Sequence, residues 1–307
     1  MGENYLYKLP IKAYSAGRSR WSSRIETSFP VVALRVVSWN VDFMAPDSAG
    51  RVACVLDYLR RKVLTGESPQ PSCILLQELD SSSFSAVLEN EWVRKHYAVT
   101  PPDMSRWGGS YGVATLVSRF VRIRAAYMLQ FTRSQMGRTA LFVDVEMWHE
   151  GGEGPDDIHV VRIANTHLES LPVGQRQRPL QLCAISDLLR APGVDAGLVA
   201  GDMNIIAPPD ERIHVVAALE DVCPDMSSES FTWGYQPRTR FPPGRLDRVF
   251  CVPGTLKTRK FEVIGRGLKT NSGLWASDHY GMKVHVQLPD MSHEEESRRR
   301  GMPRRRM

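Results

Sequence analysis

Asp202 and Asn204 stand two residues apart at the end of the run Leu198-Val199-Ala200-Gly201. An apolar run that stops this abruptly reads as a buried strand leaving its sheet. Side chains at i and i+2 of an extended backbone share a face, so a carboxylate and an amide there could hold a water and a phosphate. Gly201 lets the backbone come close to a neighbour or a ligand. Taken alone, the stretch is more simply an Asx turn. The pattern recurs, however. Trp39-Asn40, Gln77-Glu78 and Asn165-Thr166-His167 close apolar runs, while Arg245-Leu246-Asp247-Arg248 and Ser277-Asp278-His279 precede them.

Carboxylates are rarely buried unless they are paired or coordinating. An amide, several carboxylates and two histidines in one cleft suit phosphoryl chemistry with a hard cation. Mg2+ takes oxygen ligands and keeps several waters, so one or two carboxylates suffice. No third histidine or cysteine stands near to favour zinc. A phosphodiester attacked by water needs a charge clamp, an oriented nucleophile and a stabilised leaving oxygen.

Strands must carry these clusters. The patterning predicts strands at Val31–Val41, Cys73–Leu76, Tyr111–Ser118, Arg122–Gln130, Thr139–Met147, Val160–Thr166, the run into Asp202, Leu246–Val252 and Lys283–Leu288. Helices are expected over Arg51–Leu64, over Ser81–Trp92 with a serine cap, from no later than Pro179 to a stop at Pro192-Gly193, and over about Asp210–Leu219. Four strands end in polar clusters (Asn40, Glu78, His167, Asp202 with Asn204) and two begin with them (Asp247, Asp278-His279). If the last two run against the first four, all six clusters meet at one edge. Several strands are apolar on both faces, and strands also follow one another directly, which excludes a simple alternating parallel sheet. The expected fold class is α/β, a four-layer sandwich of two mixed sheets flanked by helices, occupying 29–289. Residues 1–28 read as an irregular lead-in and 290–307 as a disordered arginine-rich tail.

The chain has 307 residues, 42% hydrophobic and 24% charged, with a net charge of +5. Six arginines and no acid lie in 298–307, so the remainder is not a uniformly basic nucleic-acid binder. No apolar run is long enough to span a bilayer and the N-terminal residues read without the apolar core of a signal peptide, so no membrane partner is expected. Five scattered cysteines read as reduced core thiols of an intracellular protein, and the chain is expected to be a monomer.

Together Ser38-Trp39-Asn40-Val41-Asp42, Leu76-Gln77-Glu78, Gly201-Asp202-Met203-Asn204 and Ser277-Asp278-His279 resemble the motifs of the endonuclease/exonuclease/phosphatase superfamily, over nearly the whole chain. Thr166-His167-Leu168-Glu169-Ser170, Phe231-Thr232-Trp233 and Leu246-Asp247-Arg248-Val249-Phe250 are similar to its tyrosyl-DNA phosphodiesterase branch. Tyr280, where the family usually carries tryptophan, and the apolar Ile205-Ile206 depart from the pattern. The resemblance implies the four-layer fold and a Mg2+ site, with Mn2+ able to substitute, at Glu78 with Asn40 beside it. It implies that Asp202 orients or deprotonates the attacking water and that Asn204 holds it in line. It makes His279 a phosphate donor whose tautomer Asp247 or Asp278 would fix, and His167 a second donor. Arg138, in Met136-Gly137-Arg138, is the family position for an arginine lining the cleft. The implied activity is hydrolysis of 5′-phosphotyrosyl-DNA ends, as left by trapped topoisomerase 2, in the nucleus. A phenolate, of pKa about 10, leaves readily enough to need no dedicated general acid. Trp233, Tyr235, Arg238, Arg240 and Arg245, with Phe241 and Arg248, interleave rings and guanidinium groups as a single-stranded end requires. The alternatives are an abasic-site endonuclease, an RNA exonuclease or a small-molecule phosphatase of the same superfamily. An expectation of a different class is a non-catalytic nucleic-acid-binding protein on this fold.

Overall fold

Val36, Val37 and Trp39 are buried on both faces of their strand, and so are Ile74, Leu75 and Leu76 on its neighbour. Strands with no wet face belong inside a sheet that other layers cover. The computed structural model describes residues 4–23, 28–66, 68–152 and 154–290. The first elements are β1 (Tyr5–Lys8), β2 (Lys12–Ser15), β3 (Arg20–Ser22), β4 (Ala33–Asn40), α1 (Ser48–Tyr58), β5 (Ser72–Asp80), α2 (Ser81–Glu89) and α3 (Glu91–His96). Then come β6 (Tyr97–Thr100), β7 (Tyr111–Ser118), β8 (Ile123–Gln130), β9 (Thr139–Trp148), β10 (Ile158–His167), α4 (Gln177–Leu189) and β11 (Ala196–Asp202). The last are α5 (Ile213–Val216), β12 (Glu220–Asp221), β13 (Asp247–Cys251), β14 (Lys257–Ile264) and β15 (Gly281–Gln287).

These strands form a seven-stranded sheet, β1-β8-β9-β10-β11-β13-β12, and an eight-stranded sheet, β14-β15-β4-β5-β7-β6-β2-β3. Alternate residues of β10, β11 and β13 serve different cores. Val161, Ile163, Leu198, Ala200 and Val249 pack with β4 and β5 side chains between the sheets, and Ala164, Val199 and Phe250 pack with Leu182, Ile185 and Leu189 of α4. Val52, Val55, Leu56, Phe84 and Val87 of α1 and α2 pack with the β4–β5 side chains. The architecture is therefore the expected one of two mixed sheets flanked by helices.

Strand direction brings the polar clusters together. β4 is parallel to β5 and β10 to β11, whereas β13 runs against β11 and β15 against β4. Asp202 pairs with His167 on one side and with Asp247 on the other. A buried amide pair keeps the two sheets in register beneath this edge. Gln77 Nε2 donates to Asn165 Oδ1 at 2.8 Å, and Asn165 Nδ2 donates to the carbonyls of Ala114 at 2.9 Å and Leu76 at 3.2 Å. Amides at buried strand positions are tolerated only when hydrogen-bonded, and here that demand links the sheets.

Gly201 is needed for close approach. A Cβ there would lie 1.8 Å from the carbonyl oxygen of Thr166 on β10. Gly201→Ala is expected to lower unfolding free energy by roughly 3 kcal/mol, as overpacking does, and to spread β10 from β11. Equal midpoints in urea for parent and variant would show that the strands can yield.

Several expectations are corrected. The lead-in 1–28 is not irregular where described: β1 pairs with β8, β2 pairs with β6, and β3 pairs with β2. β5 does not end before Gln77-Glu78; it continues to Asp80 through a register shift at which Glu78 takes φ +57°. Such a bulge re-aims a side chain at the cost of local strain. The helix over Ser81–Trp92 is two helices broken at Asn90, and Asp80, not a serine, caps the first by accepting from Ser83 N at 2.8 Å. β6 and β14 had no sequence signal, because one is four residues long and the other is a largely exposed edge. Of the arginine-rich tail, 291–307 lie outside the described residues.

Candidate active site

Asp202 sits at the centre, 2% exposed. Its Oδ1 accepts the Asn204 backbone N–H at 2.9 Å, and its Oδ2 accepts Asn40 Nδ2 at 3.1 Å and faces His167 Nε2 at 3.3 Å. Burial is the main cause that pushes its carboxyl up to about 7; His279 pulls it down, while Asp247 and Glu78 add to the rise. Asn204 has φ +50°, and its side-chain nitrogen donates to the Leu168 carbonyl at 3.2 Å. The strained turn at Asn204 is thus held by its own amide, and its backbone N–H aims Asp202.

The two histidines are poised oppositely. Burial pulls His279 down, but the carboxylates of Asp247, Asp278 and Asp202 outweigh it and hold the ring well above its ordinary value. Asp247 Oδ2 lies 2.7 Å from His279 Nδ1. Asp278 Oδ1 is 3.9 Å from Nε2, and its Oδ2 accepts from Trp233 Nε1 at 2.9 Å. Of the two acids considered for orienting His279, Asp247 does so and Asp278 instead fixes Trp233. His167 is held well below its ordinary value by burial, by Arg138 and by His279. A protonated imidazole and a neutral one therefore flank the same carboxylate.

Glu78 Oε1 accepts Asn40 Nδ2 at 3.0 Å and Oε2 accepts the Phe43 N–H at 3.2 Å. Burial is the main cause that raises its carboxyl, with the charge of Asp278 adding. Crowded, desolvated carboxylates of this kind fit a hard divalent cation, which would relieve both burial and mutual repulsion. Glu78, His167 and Asp202 place ligand atoms within 4.8 Å of one another. His167 Nδ1 already faces the Arg138 guanidinium at 2.9 Å, so the oxygen donors are those of Glu78 and Asp202. Asn40 stands between Glu78 and Asp202. Its Oδ1 accepts the Asp42 N–H at 3.0 Å while its nitrogen faces the two carboxylates. Turning the amide over would set oxygen against both carboxylates, so the network decides the orientation.

Struts missed at the sequence level position these groups. Arg178, fully buried on α4, forms a two-pronged ion pair with Asp210 and donates to the carbonyls of Glu169 and Leu171. It ties the loop after His167 to the loop after Asn204. Glu169 accepts from Ser134 Oγ, the Gln135 and Met136 N–H groups and Gln181, shaping the turn before Arg138. Ser277 Oγ donates to the Asn40 carbonyl at 2.6 Å. The available signal was a charged or polar residue inside an otherwise buried pattern, and it did not name the partner.

Glu78, His167, Asp202, Asn204 and His279 line a cleft of about 750 Å3. Its other wall is apolar: Leu171, Ile206, Met226 and Phe241, all exposed, with Pro172, Pro208 and Pro242. The candidate DNA contacts divide. Trp233 and Phe241 line the cleft, Arg238 and Arg240 are exposed beside it in sequence, and Tyr235 stacks on Tyr280 at 6.0 Å. Arg245 is instead 3% exposed and ion-paired to Asp221, and Arg248 pairs with Asp221 and Glu211. Arg138 is buried behind His167 and does not line this cleft. A guanidinium near an unneutralised buried carboxylate is drawn inward, away from solvent ligands.

The sequence model of the Endonuclease/Exonuclease/phosphatase family matches residues 37–279. No curated protein sequence matches the chain. A structure of truncated Caenorhabditis elegans TDP2 superposes at a TM-score of 0.64 with 21% identity, covering 83% of this chain and 97% of that one. Danio rerio TDP2 complexed with single-strand DNA product gives a TM-score of 0.64 at 20% identity, covering 83% and 99%. The human Nocturnin catalytic domain with bound sulfate gives 0.59 at 18% identity, covering 86% and 96%.

Proposed function

The chain belongs to the endonuclease/exonuclease/phosphatase family, and from that premise we propose that it is a Mg2+-dependent phosphodiesterase that hydrolyses 5′-phosphotyrosyl-DNA ends. The observation that carries hydrolysis is Asp202, a buried carboxyl near 7, set between neutral His167 and protonated His279. A carboxylate tuned to neutral pH accepts a proton from water far better than an ordinary one. Asn40 and the Asn204 N–H hold it in place. His279 Nε2, its ring anchored by Asp247 at the other nitrogen, donates to a phosphate oxygen. Glu78, with Asn40 beside it, would hold the cation, which when bound supplies charge stabilisation to the phosphate oxygens and leaves Asp202 to the water.

Two features favour an end over an internal bond. The cleft lining holds one arginine, Arg245, and it is spent on Asp221. A continuous strand, with a phosphate at every step, wants more cations than that. The apolar wall instead suits a base or an aromatic group beside a single phosphate. The tyrosyl-adduct assignment rests on the sequence motifs of the tyrosyl-DNA phosphodiesterase branch and the fold likeness to TDP2.

The test is a cleavage panel of 5′-tyrosyl, 3′-tyrosyl, abasic and RNA oligonucleotides, each with Mg2+, Mn2+ or chelator. The 5′-tyrosyl substrate should be cleaved fastest, with activity lost in chelator and restored by either ion. Faster cleavage at the abasic site or of RNA would transfer the assignment to those branches. Full activity in chelator would remove the cation from the mechanism. Tight binding to single strands with no cleavage would mark a non-catalytic binder.

A further inference from the structure

We propose that the concavity between β2, the turn into β3 and α3 is a second anion site, which takes a small ligand bearing several phosphate groups. This cavity, of about 650 Å3, is lined by Arg18, Arg94, Lys95 and Arg119 against a single acid, Glu91. It lies far from the cleft. β5 carries Glu78 to the cleft, and its antiparallel neighbour β7 starts beside it, with Tyr111 opposite Asp80. β7 then runs away to Ser118, and Arg119 follows. Beyond β7 come β6, β2 and β3, the last of them the edge of the sheet. The cavity therefore sits at the end of the eight-stranded sheet opposite to the catalytic cleft, and the two share no lining residue.

Like charges gathered in a concavity repel one another and focus a positive field. Among the described residues no carboxylate lies within ion-pairing distance of Arg18, Arg94 or Lys95. The field reaches His96, which burial and then the charges of Lys95 and Arg119 hold below its ordinary value. Two of the cations are also fixed in place. Arg94 Nε donates to the Leu88 carbonyl at 2.8 Å, and its guanidinium lies 4.6 Å over the Tyr14 ring. Arg119 Nη1 donates to the Tyr14 carbonyl at 3.4 Å. Among the described residues these contacts leave both Nη groups of Arg94 without a partner, in the planar fork that matches phosphate. Arg18 and Lys95 are exposed, and Ser15 and Ser22 add hydroxyls that can donate. A carboxylate ligand would bring one negative charge to this set, whereas linked phosphates bring several within the same volume. The one aromatic ring of the lining, Tyr14, is engaged by Arg94 and, edge-on at 5.7 Å, by Trp21, so charge rather than base stacking does the recognising. The volume is that of a small-molecule site, and a polymer would extend past it.

The experiment is calorimetric titration of the full chain, in chelator and at low salt, with tripolyphosphate, a nucleoside triphosphate, inorganic phosphate and a single-stranded oligonucleotide. Chelator keeps cation-dependent binding in the catalytic cleft out of the measurement. One tripolyphosphate should bind per chain, and the nucleoside triphosphate should bind comparably. Inorganic phosphate, which engages fewer of the charged donors, should bind at least about tenfold more weakly. Arg18→Gln and Lys95→Gln, both at exposed positions, should each weaken tripolyphosphate about tenfold, the loss expected of a hydrogen bond to a charged group. No binding of tripolyphosphate, or binding that both variants leave intact, overturns the proposal. So does an oligonucleotide that displaces tripolyphosphate and is weakened by the same variants, which would make this surface a nucleic-acid track. Equal affinity for inorganic phosphate would overturn the assignment to multiply charged ligands.

Discussion

Asp202→Asn is expected to reduce turnover about a thousandfold, in line with the loss of a positioned base, and at the same time to stabilise the fold above pH 7. The two effects share one cause. Asp202 is buried, and its carboxyl is pushed from 3.8 up to about 7. The folded state therefore binds a proton that the unfolded chain has already released. The stability this proton confers is complete below pH 3.8 and is lost as pH rises through about 7. At pH 8 the folded protein carries the full cost of an ionised, desolvated carboxylate. Asparagine keeps the shape and cannot ionise, so the variant avoids that cost, less what its NH2 loses by facing either the Asn40 amide or the Asn204 N–H. The gain is on the order of 1–3 kcal/mol, because the same change deprives protonated His279 of one partner. Chemical denaturation of both proteins in chelator at pH 5 and pH 8 measures it. The gap should be wide at pH 8 and narrow at pH 5; parallel pH curves would show that burial does not tune Asp202.

Asp247→Asn should cost about a hundredfold to a thousandfold in kcat, as removal of one charged donor does, although Asp247 need never touch substrate. Asp247 and His279 are both buried, and the 2.7 Å bond joins Oδ2 to Nδ1. Burial alone would leave His279 neutral, and the carboxylates reverse that. An asparagine oxygen can keep the Nδ1 hydrogen but brings no charge. The ring then loses the largest of the charges that hold its other proton, and the fraction that sheds it faces the phosphate with a lone pair. The sign in stability is opposite to that of Asp202. The protonated His279 contributes stability that is present below pH 6.5 and lost as pH rises through its raised value. Asp247→Asn removes that contribution, so the variant is also less stable at neutral pH. Residues acting as a unit are not additive. The double variant with His279→Ala should be no slower than His279→Ala alone. Multiplying losses would mean that Asp247 acts on something other than the histidine.

Much of this site was legible in the chain. Asn40, Glu78, His167, Asp202 and Asp247 each adjoin a stretch buried on both faces, which shows in its run of apolar residues, and His279 precedes the alternating strand β15. A strand buried on both faces can lie only inside a covered sheet, and it can turn polar only where it leaves one. From that, the two mixed sheets and the shared edge follow once the last two strands are taken to run backwards.

What remained was partner choice, which depends on distances between residues far apart in the chain. Asp247 and Asp278 are equally plausible partners for His279 on paper. Only the pairing of Asp247 with Asp202 across β11 and β13 sets one carboxylate against Nδ1 and leaves the other on the rim with Trp233. Arg245 and Arg248 sit among aromatics like DNA contacts, yet β12 brings Asp221 beside them and draws both inward. Arg138 reads as a cleft arginine, and the turn held by Glu169 places it behind His167 instead. Asn40 offers oxygen or nitrogen with equal ease until the Asp42 N–H claims the oxygen. Charge and hydrogen-bonding capacity are written in each residue type, but which group satisfies them is set by sheet register, and the buried Gln77–Asn165 bond helps hold that register only after both sheets have met.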